Sequence, residues 1–370
     1  MALTVLMLLT DGFGGQGGIA KFNRDFLQAL NACALVERVS ALPRLIRQRT
    51  DEPIPEAVVY DRKAAGGRSA FLRRLLTHAL RRERINLVVC GHLYLLPAAW
   101  LVARLRGSRL ALIVHGIEAW EPSRRFAANW AARRVDAVLA VSRHSAEQFT
   151  SWSQVPMERI FVLPNCVDLE TFRPQERDPA LLERYGLKSN QVILTVGRIA
   201  SLERYKGFDE VIELMPRLVK RFPGLKYLIV GDGDDRLRLK AKVQKYGVAA
   251  DVIFAGEIPD SEKVAHYNLA DAYVMPSTGE GFGIVLIEAA ACGLPVIGSR
   301  SDGSREALRD GLLGRLVDPR KPEELIEVIT EVLKDRSSRV RSCNVDLFST
   351  QNFRALVTDW CRAQAAHAAG

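Results

Sequence analysis

Gly279-Glu280-Gly281-Phe282-Gly283-Ile284-Val285-Leu286-Ile287-Glu288 joins two carboxylates through a glycine-rich turn that runs straight into an apolar helix. The residues before it, 272 to 276, read as a short buried strand. Gly281 and Gly283 let the backbone approach a ligand closely, and the new helix presents unpaired N–H groups at its start. Such an end attracts phosphate. At a rise of about 1.5 Å per residue, Glu280 and Glu288 stand at most about 12 Å apart along the axis. This suits an extended ligand with hydroxyls at both ends and an anionic middle. The bland alternative is a strand-turn-helix whose glutamates are merely solvated.

Working outward, a buried-strand pattern at 192–196 is followed by Gly197-Arg198, and then by Lys206-Gly207-Phe208. Arg198 offers a forked donor set for phosphate oxygens and Lys206 a compact point charge. Both follow the carboxyl end of a strand, where open α/β sheets bind ligands. The N-terminal half adds Gly14-Gly15-Gln16-Gly17-Gly18-Ile19 after the first strand. His115-Gly116, Val141-Ser142 and Leu163-Pro164-Asn165-Cys166-Val167-Asp168 follow later ones.

In order and spacing this set resembles glycosyltransferase family 4, a retaining family, over nearly the whole chain. The resemblance implies an α/β protein of GT-B architecture: two Rossmann-like domains with parallel sheets facing across a cleft, and a C-terminal helix crossing back to the first. It implies a hexosyltransferase that moves a sugar from a nucleoside diphosphate (GDP-mannose or a UDP-sugar) to a glycan or lipid-linked acceptor. Bacterial enzymes of this type build lipopolysaccharide or exopolysaccharide. Carried onto matching positions, Glu280 would hold donor-sugar hydroxyls and Glu288 the ribose hydroxyls. Backbone groups at Gly283, Ile284 and Val285 would meet the phosphates, with Gly17 and Gly18 adding donors from the first domain. Ile258 would lie against the base, and His115 would contact the donor sugar and help orient the acceptor. Arg198 and Lys206 would stabilise charge growing on the leaving diphosphate, so that neither a metal nor another cofactor is expected. Two positions depart from the common pattern: Cys166 stands where glycine often follows the Asn, and Ser301-Asp302-Gly303-Ser304-Arg305-Glu306 replaces a Gly-Gly-x-Pro-Glu run.

Composition bounds the rest. A chain of 370 residues, 48% hydrophobic, is long enough for two domains with separate cores. Its cysteines (33, 90, 166, 292, 343, 361) lack close pairing or metal-type spacing, which fits a reducing cytosol. The apolar start ends at Asp11-Gly12 without a basic leader, so it reads as a strand rather than a signal peptide. Residues 87–105 are apolar but contain His92, Pro97 and Arg104. A strand and helix explain them better than a span needing about 20 apolar residues.

Charge is uneven. Residues 1–170 hold 23 Lys/Arg against 15 Asp/Glu and residues 171–370 hold 29 against 28, so the first half carries nearly all of the net +9. Without a nucleic-acid motif or interleaved stacking aromatics, lipid or lipid phosphate ranks above nucleic acid as the partner. Residues 68–84 sharpen this. Phe71, Leu72, Leu75, Leu76, Ala79 and Leu80 make an apolar stripe, and Arg73, Arg74, Arg81, Arg82 and Arg84 supply charge. That is a basic amphipathic helix, either packed on its sheet or docked peripherally on an anionic membrane.

Buried strands alternate with helices throughout, as parallel sheets covered on both faces require. The expected strands are 3–9, 36–41, 57–60, 87–90, 110–115, 137–141 and 161–164, then 192–197, 227–231, 252–256, 272–276, 295–299 and 314–317. The domains are expected at 1–170, with 349–370 returning as a helix, and at 171–348. Competing readings are a nicotinamide oxidoreductase, which lacks an acid closing the second strand, and a metal site at Asp232-Gly233-Asp234. A sugar-nucleotide epimerase and a non-catalytic sugar-nucleotide-binding module share the architecture and stay open.

Overall fold

Short apolar runs bounded by glycine or polar turns pair into parallel sheets because helices cover both of their faces. The computed structural model describes residues 2–46, 53–81, 83–335 and 341–368, and among these the strands form two sheets. The first sheet holds β1 (Leu3–Leu9), β2 (Val36–Pro43), β3 (Val58–Tyr60), β4 (Leu87–Cys90), β5 (Arg109–Val114), β6 (Ala137–Ala140) and β7 (Ile160–Val162), in the order β3-β2-β1-β4-β5-β6-β7. The second holds β8 (Val192–Val196), β9 (Lys226–Val230), β10 (Val252–Gly256), β11 (Ala272–Met275), β12 (Val296–Ser299) and β13 (Arg315–Val317), ordered β10-β9-β8-β11-β12-β13. All pairings are parallel. In each sheet the order reverses once, between β1 and β4 and between β8 and β11, and such switch points open a crevice at the strands' carboxyl ends.

The chain divides into two units, residues 1–166 with 350–370, and 167–349. The first break comes just before Val167 because Val167 pairs with Ser349 in an isolated bridge and donates its N–H to the Phe348 carbonyl (2.8 Å). The C-terminal helix, Thr350–Ala368, belongs to the first unit. It lies on the helix Gly18–Ala32 through Phe353 against Phe22 and Trp360 against Phe26. Trp360 is fully buried there.

The basic helix differs from its sequence reading. It spans Arg68–Leu80, not as far as residue 84. Arg106 draws in the carbonyls of Ala79 and Arg81 at its end (3.4 and 2.6 Å). Its six apolar positions do not form one buried stripe. Phe71, Leu75 and Ala79 face the core, whereas Leu72, Leu76 and Leu80 are 58%, 55% and 71% exposed. Arg74 turns to the buried Asp61 (2.6 Å), and Arg82 lies outside the described residues.

Candidate active site

The second unit's switch point gathers the charged residues singled out in the sequence. Lys206 lies in the loop after β8, and Glu280 in the loop after β11. The two loops touch because Gly207 has no side chain: a Cβ there would stand 2.7 Å from the Pro276 carbonyl, and its φ of +86° is one that L residues rarely adopt. The Thr278 N–H donates to the Tyr205 carbonyl (2.8 Å) across the same seam. Lys206 Nζ then reaches Glu280 Oε2 at 3.3 Å. Burial is the largest single influence on Lys206 and opposes its charge, but the Glu280 carboxylate, Tyr205 and Glu203 together outweigh it. The ammonium is therefore held above its ordinary value. Glu203 pairs with Arg198 and stands 3.7 Å from Lys206, so one acid spaces both cations. Arg198 is otherwise open, with its side chain 60% exposed.

Glu288 is not the solvated carboxylate of the bland alternative. It sits in the apolar helix Ile284–Ala291 and is 0% exposed. Lys263 Nζ lies 2.9 Å from Oε1 and 2.7 Å from Oε2, and the Tyr267 hydroxyl donates to Oε2 (2.8 Å). Lys263 and Tyr267 are four apart and so share one face of the helix Lys263–Leu269. Nothing in the sequence marked them. Ile284 and Val285 open the Glu288 helix behind Gly283, which has no side-chain cap bond. Ile258 follows β10, half-buried.

In the first unit the glycine loop is braced from within. Arg24 donates to the carbonyls of Gly12 (3.2 Å) and Gly15 (2.8 Å), and the Asn23 amide donates to Asp11 O (2.8 Å). Gly17 and Gly18 stay exposed at the start of the helix Gly18–Ala32, with nothing within 4 Å of a Cβ on either. His115 comes one residue after β5 rather than ending it. Its Nε2 is 3.2 Å from the Gly91 carbonyl, and the Phe22 ring stands edge-on to it. Burial, with His92 nearby, pushes its pKa down to about 3 against a small opposing effect of Gly91, so the imidazole is neutral at physiological pH. Glu118, which sequence reasoning passed over, accepts the N–H groups of His115 (2.7 Å) and Gly116 (3.1 Å) and shapes this turn.

The acids at 232–234 are engaged in loop contacts. Asp234 accepts the N–H and hydroxyl of Ser201 (2.8 and 2.7 Å), and Asp232 pairs with Arg236 (2.8 Å). Among the described residues no group of three or more His, Cys, Asp or Glu is arranged to hold a metal ion.

Known families match this chain in both halves. The family model for group 1 glycosyl transferases matches residues 181–343, and that for glycosyltransferase family 4 matches residues 17–171. The GDP-mannose-dependent alpha-(1-6)-phosphatidylinositol monomannoside mannosyltransferase of Mycolicibacterium smegmatis is 32% identical over 304 residues, covering 79% of this chain and 75% of that protein. The phosphatidyl-myo-inositol mannosyltransferase of Mycobacterium tuberculosis is 39% identical over 163 residues, 44% of this chain and 40% of that one. Among solved structures, sucrose-phosphate synthase from Thermosynechococcus elongatus superposes with a TM-score of 0.78 at 19% identity, covering 99% of this chain and all of that one. HepE from Anabaena, in complex with UDP, gives 0.75 at 19% identity, covering 98% and 100%. At these identities the structures speak for the fold.

Proposed function

This chain belongs to glycosyltransferase family 4, the group 1 glycosyl transferases, and from that premise we propose that it transfers a mannosyl group from GDP-mannose, with retention of configuration, to a hydroxyl of a lipid-borne polyol or glycan. The observation that carries the reading is the Lys206–Glu280 contact at the carboxyl ends of β8 and β11, beside a helix start able to receive phosphate. The choice of GDP-mannose and of a lipid acceptor draws support from the Mycolicibacterium smegmatis relative, a GDP-mannose-dependent phosphatidylinositol monomannoside mannosyltransferase.

In this reading the acceptor hydroxyl attacks the anomeric carbon from the face that the diphosphate leaves, and a phosphate oxygen takes its proton. Negative charge grows on the leaving group, and fixed cations and N–H groups stabilise it without reorganising. Lys206, Arg198 and the backbone at Gly283, Ile284 and Val285 fill that role in the second unit. No metal ion is required for it. Glu280 holds sugar hydroxyls and is oriented by its contact with Lys206. Glu288 takes the ribose hydroxyls. Lys263 reaches both of its oxygens and the Tyr267 hydroxyl donates to Oε2, so Oε1 accepts from Lys263 alone and keeps a lone pair for a further donor. Ile258 packs on the base. His115, being neutral, can accept from or donate to a sugar hydroxyl without adding charge.

We place the acceptor's lipid at the outer face of the helix Arg68–Leu80. Leu72, Leu76 and Leu80 are exposed beside Arg68 and Arg73, which suits a peripheral contact with an anionic membrane. No helix among the described residues is long and apolar enough to cross a membrane.

The test is a thermal-shift screen with GDP, UDP, ADP and their sugars, then transfer from labelled GDP-mannose to a lipid extract, with and without chelator. A ligand at about 100 times its Kd stabilises by about 2.7 kcal/mol. Stabilisation by GDP-mannose and an α-linked lipid product that survives chelation are expected. Stabilisation by UDP-sugars alone, or transfer abolished by chelator, overturns the donor or the metal-free mechanism respectively.

A further inference from the structure

We propose that Asp302 is a positioning residue that holds the Glu280 turn from behind and so sets the direction of the Glu280 carboxylate; the inference rests on the role proposed above for Glu280. Asp302 stands in the run where the family pattern is commonly Gly-Gly-x-Pro-Glu, just beyond β12, the neighbour of β11. It is 2% exposed. Its Oδ2 accepts the Ser277 hydroxyl (2.7 Å) and the Glu280 N–H (2.9 Å), and its Oδ1 accepts the Ser304 N–H (3.0 Å). Ser277 and Ser304 are fully buried and 3.2 Å apart, which closes a buried polar network.

The next residue completes the clamp. Gly303 donates its N–H to the Glu280 carbonyl (2.8 Å). A Cβ on Gly303 would stand 2.0 Å from the Gly281 oxygen and 2.8 Å from the Glu280 oxygen, so only glycine permits this approach. Both backbone groups of Glu280 are therefore bonded to 302 and 303. The peptide planes on either side of its Cα are fixed, and so is the direction in which its side chain leaves toward Lys206.

This brace is costly. Burial raises the Asp302 carboxyl above its ordinary value even though Ser277, Glu280 and Ser304 all donate to it. A buried carboxylate compensated by neutral donors is one that a neutral side chain could replace with a gain in stability. What a neutral amide cannot do is accept all of these donors at once, because an ionised carboxylate is acceptor-only whereas asparagine must turn an NH2 toward one of them. The charge is retained where it organises the turn that carries Glu280.

The test uses the full-length chain with Asp302→Asn and, should that variant fold poorly, Asp302→Gly, the residue common in the family pattern. Folding is checked by thermal melting. With saturating GDP-mannose, kcat is expected to fall by about tenfold to a hundredfold, the scale of a small misplacement in a site. The Kd for GDP, which lacks the sugar, is expected to stay within about twofold. The Glu280→Ala/Asp302→Asn double variant is expected to be no slower than Glu280→Ala alone. An unchanged kcat, additive losses, or a parallel loss of GDP binding overturns the proposal. A second arm needs no activity. In crystals of Asp302→Gly the Lys206–Glu280 contact should open beyond hydrogen-bonding distance, and a contact kept at 3.3 Å overturns the proposal. A wild-type protein that turns over no nucleotide sugar sinks the transfer reading alone, and the crystal arm then decides the role of Asp302.

Discussion

Lys206 and Glu280, 74 residues apart in sequence, meet at 3.3 Å where the strand order of the second unit reverses. In the transfer reading proposed above, their contact joins a cation for the diphosphate to a hydrogen-bond acceptor for the sugar hydroxyls. Replacing Lys206 by alanine removes one preorganised positive group, a loss expected to lower kcat by about 10²–10³. The check is turnover with saturating donor, and a loss below about tenfold contradicts the role. Glu280 is part-exposed in this pair, with its side chain 19% accessible, so the variant should still fold.

Much of this is legible in the sequence. Buried parallel strands are nearly continuous apolar runs, so each strand from β1 to β13 could be read to within about two residues. Arg198, Lys206 and Glu280 stood out because each closely follows such a run. The supporting residues did not. Glu203 looks like any surface acid until the loop folds it between Arg198 and Lys206. Lys263 and Tyr267 gain their meaning only by meeting Glu288, and Asp302 only by meeting Glu280, contacts made across the sheet rather than along the chain. The helix Arg68–Leu80 shows a second limit. Positions 71, 75, 79 and 72, 76, 80 are adjacent ridges at four-residue spacing, and periodicity alone cannot say which ridge meets the sheet.

Gly207→Ala probes the seam that brings Lys206 to Glu280. At φ +86° an alanine is strained, and its Cβ would meet backbone rather than a yielding side chain, with the Pro276 oxygen at 2.7 Å. The loop must shift, so stability and kcat should both fall, the first by an amount on the order of 1–3 kcal/mol. A variant with wild-type turnover would show that the seam does not set the Lys206 position.

Two half-buried histidines, His92 and His115, predict a pH dependence of stability in the first unit. Burial, with Arg125 adding to it, pushes His92 down to about 4, and burial pushes His115 down to about 3. Below the ordinary histidine value of about 6.5 the unfolded chain binds protons that the folded one refuses, so stability rises with pH across this window and is lost as pH falls through it. Glu118, raised by burial, acts with the opposite sign. Denaturant unfolding between about pH 7 and pH 5 should show falling stability, and His92→Gln/His115→Gln should flatten that slope. An unchanged slope in the double variant refutes the assignment.

The exposed leucines carry the last prediction. Leu72, Leu76 and Leu80 lie outward on the helix Arg68–Leu80, and Leu101 and Leu105 do so on the neighbouring helix Leu96–Arg106, which packs into the same core. Arg68, Arg73 and Arg104 are exposed on these helices. Apolar side chains entering the headgroup region supply attachment that salt does not screen, whereas arginine attraction to anionic lipid weakens within a Debye length of about 10 Å at 0.1 M salt. The two contributions can therefore be separated by flotation with vesicles rich in anionic lipid. Leu72→Ser/Leu76→Ser/Leu80→Ser should lower binding at every ionic strength, while Arg68→Gln/Arg73→Gln/Arg104→Gln should remove mainly the salt-sensitive part. Since these leucines contribute little to the core, the leucine variant should melt near the wild type, and retention of both variants on vesicles as fully as the wild type rules out this face as the membrane contact.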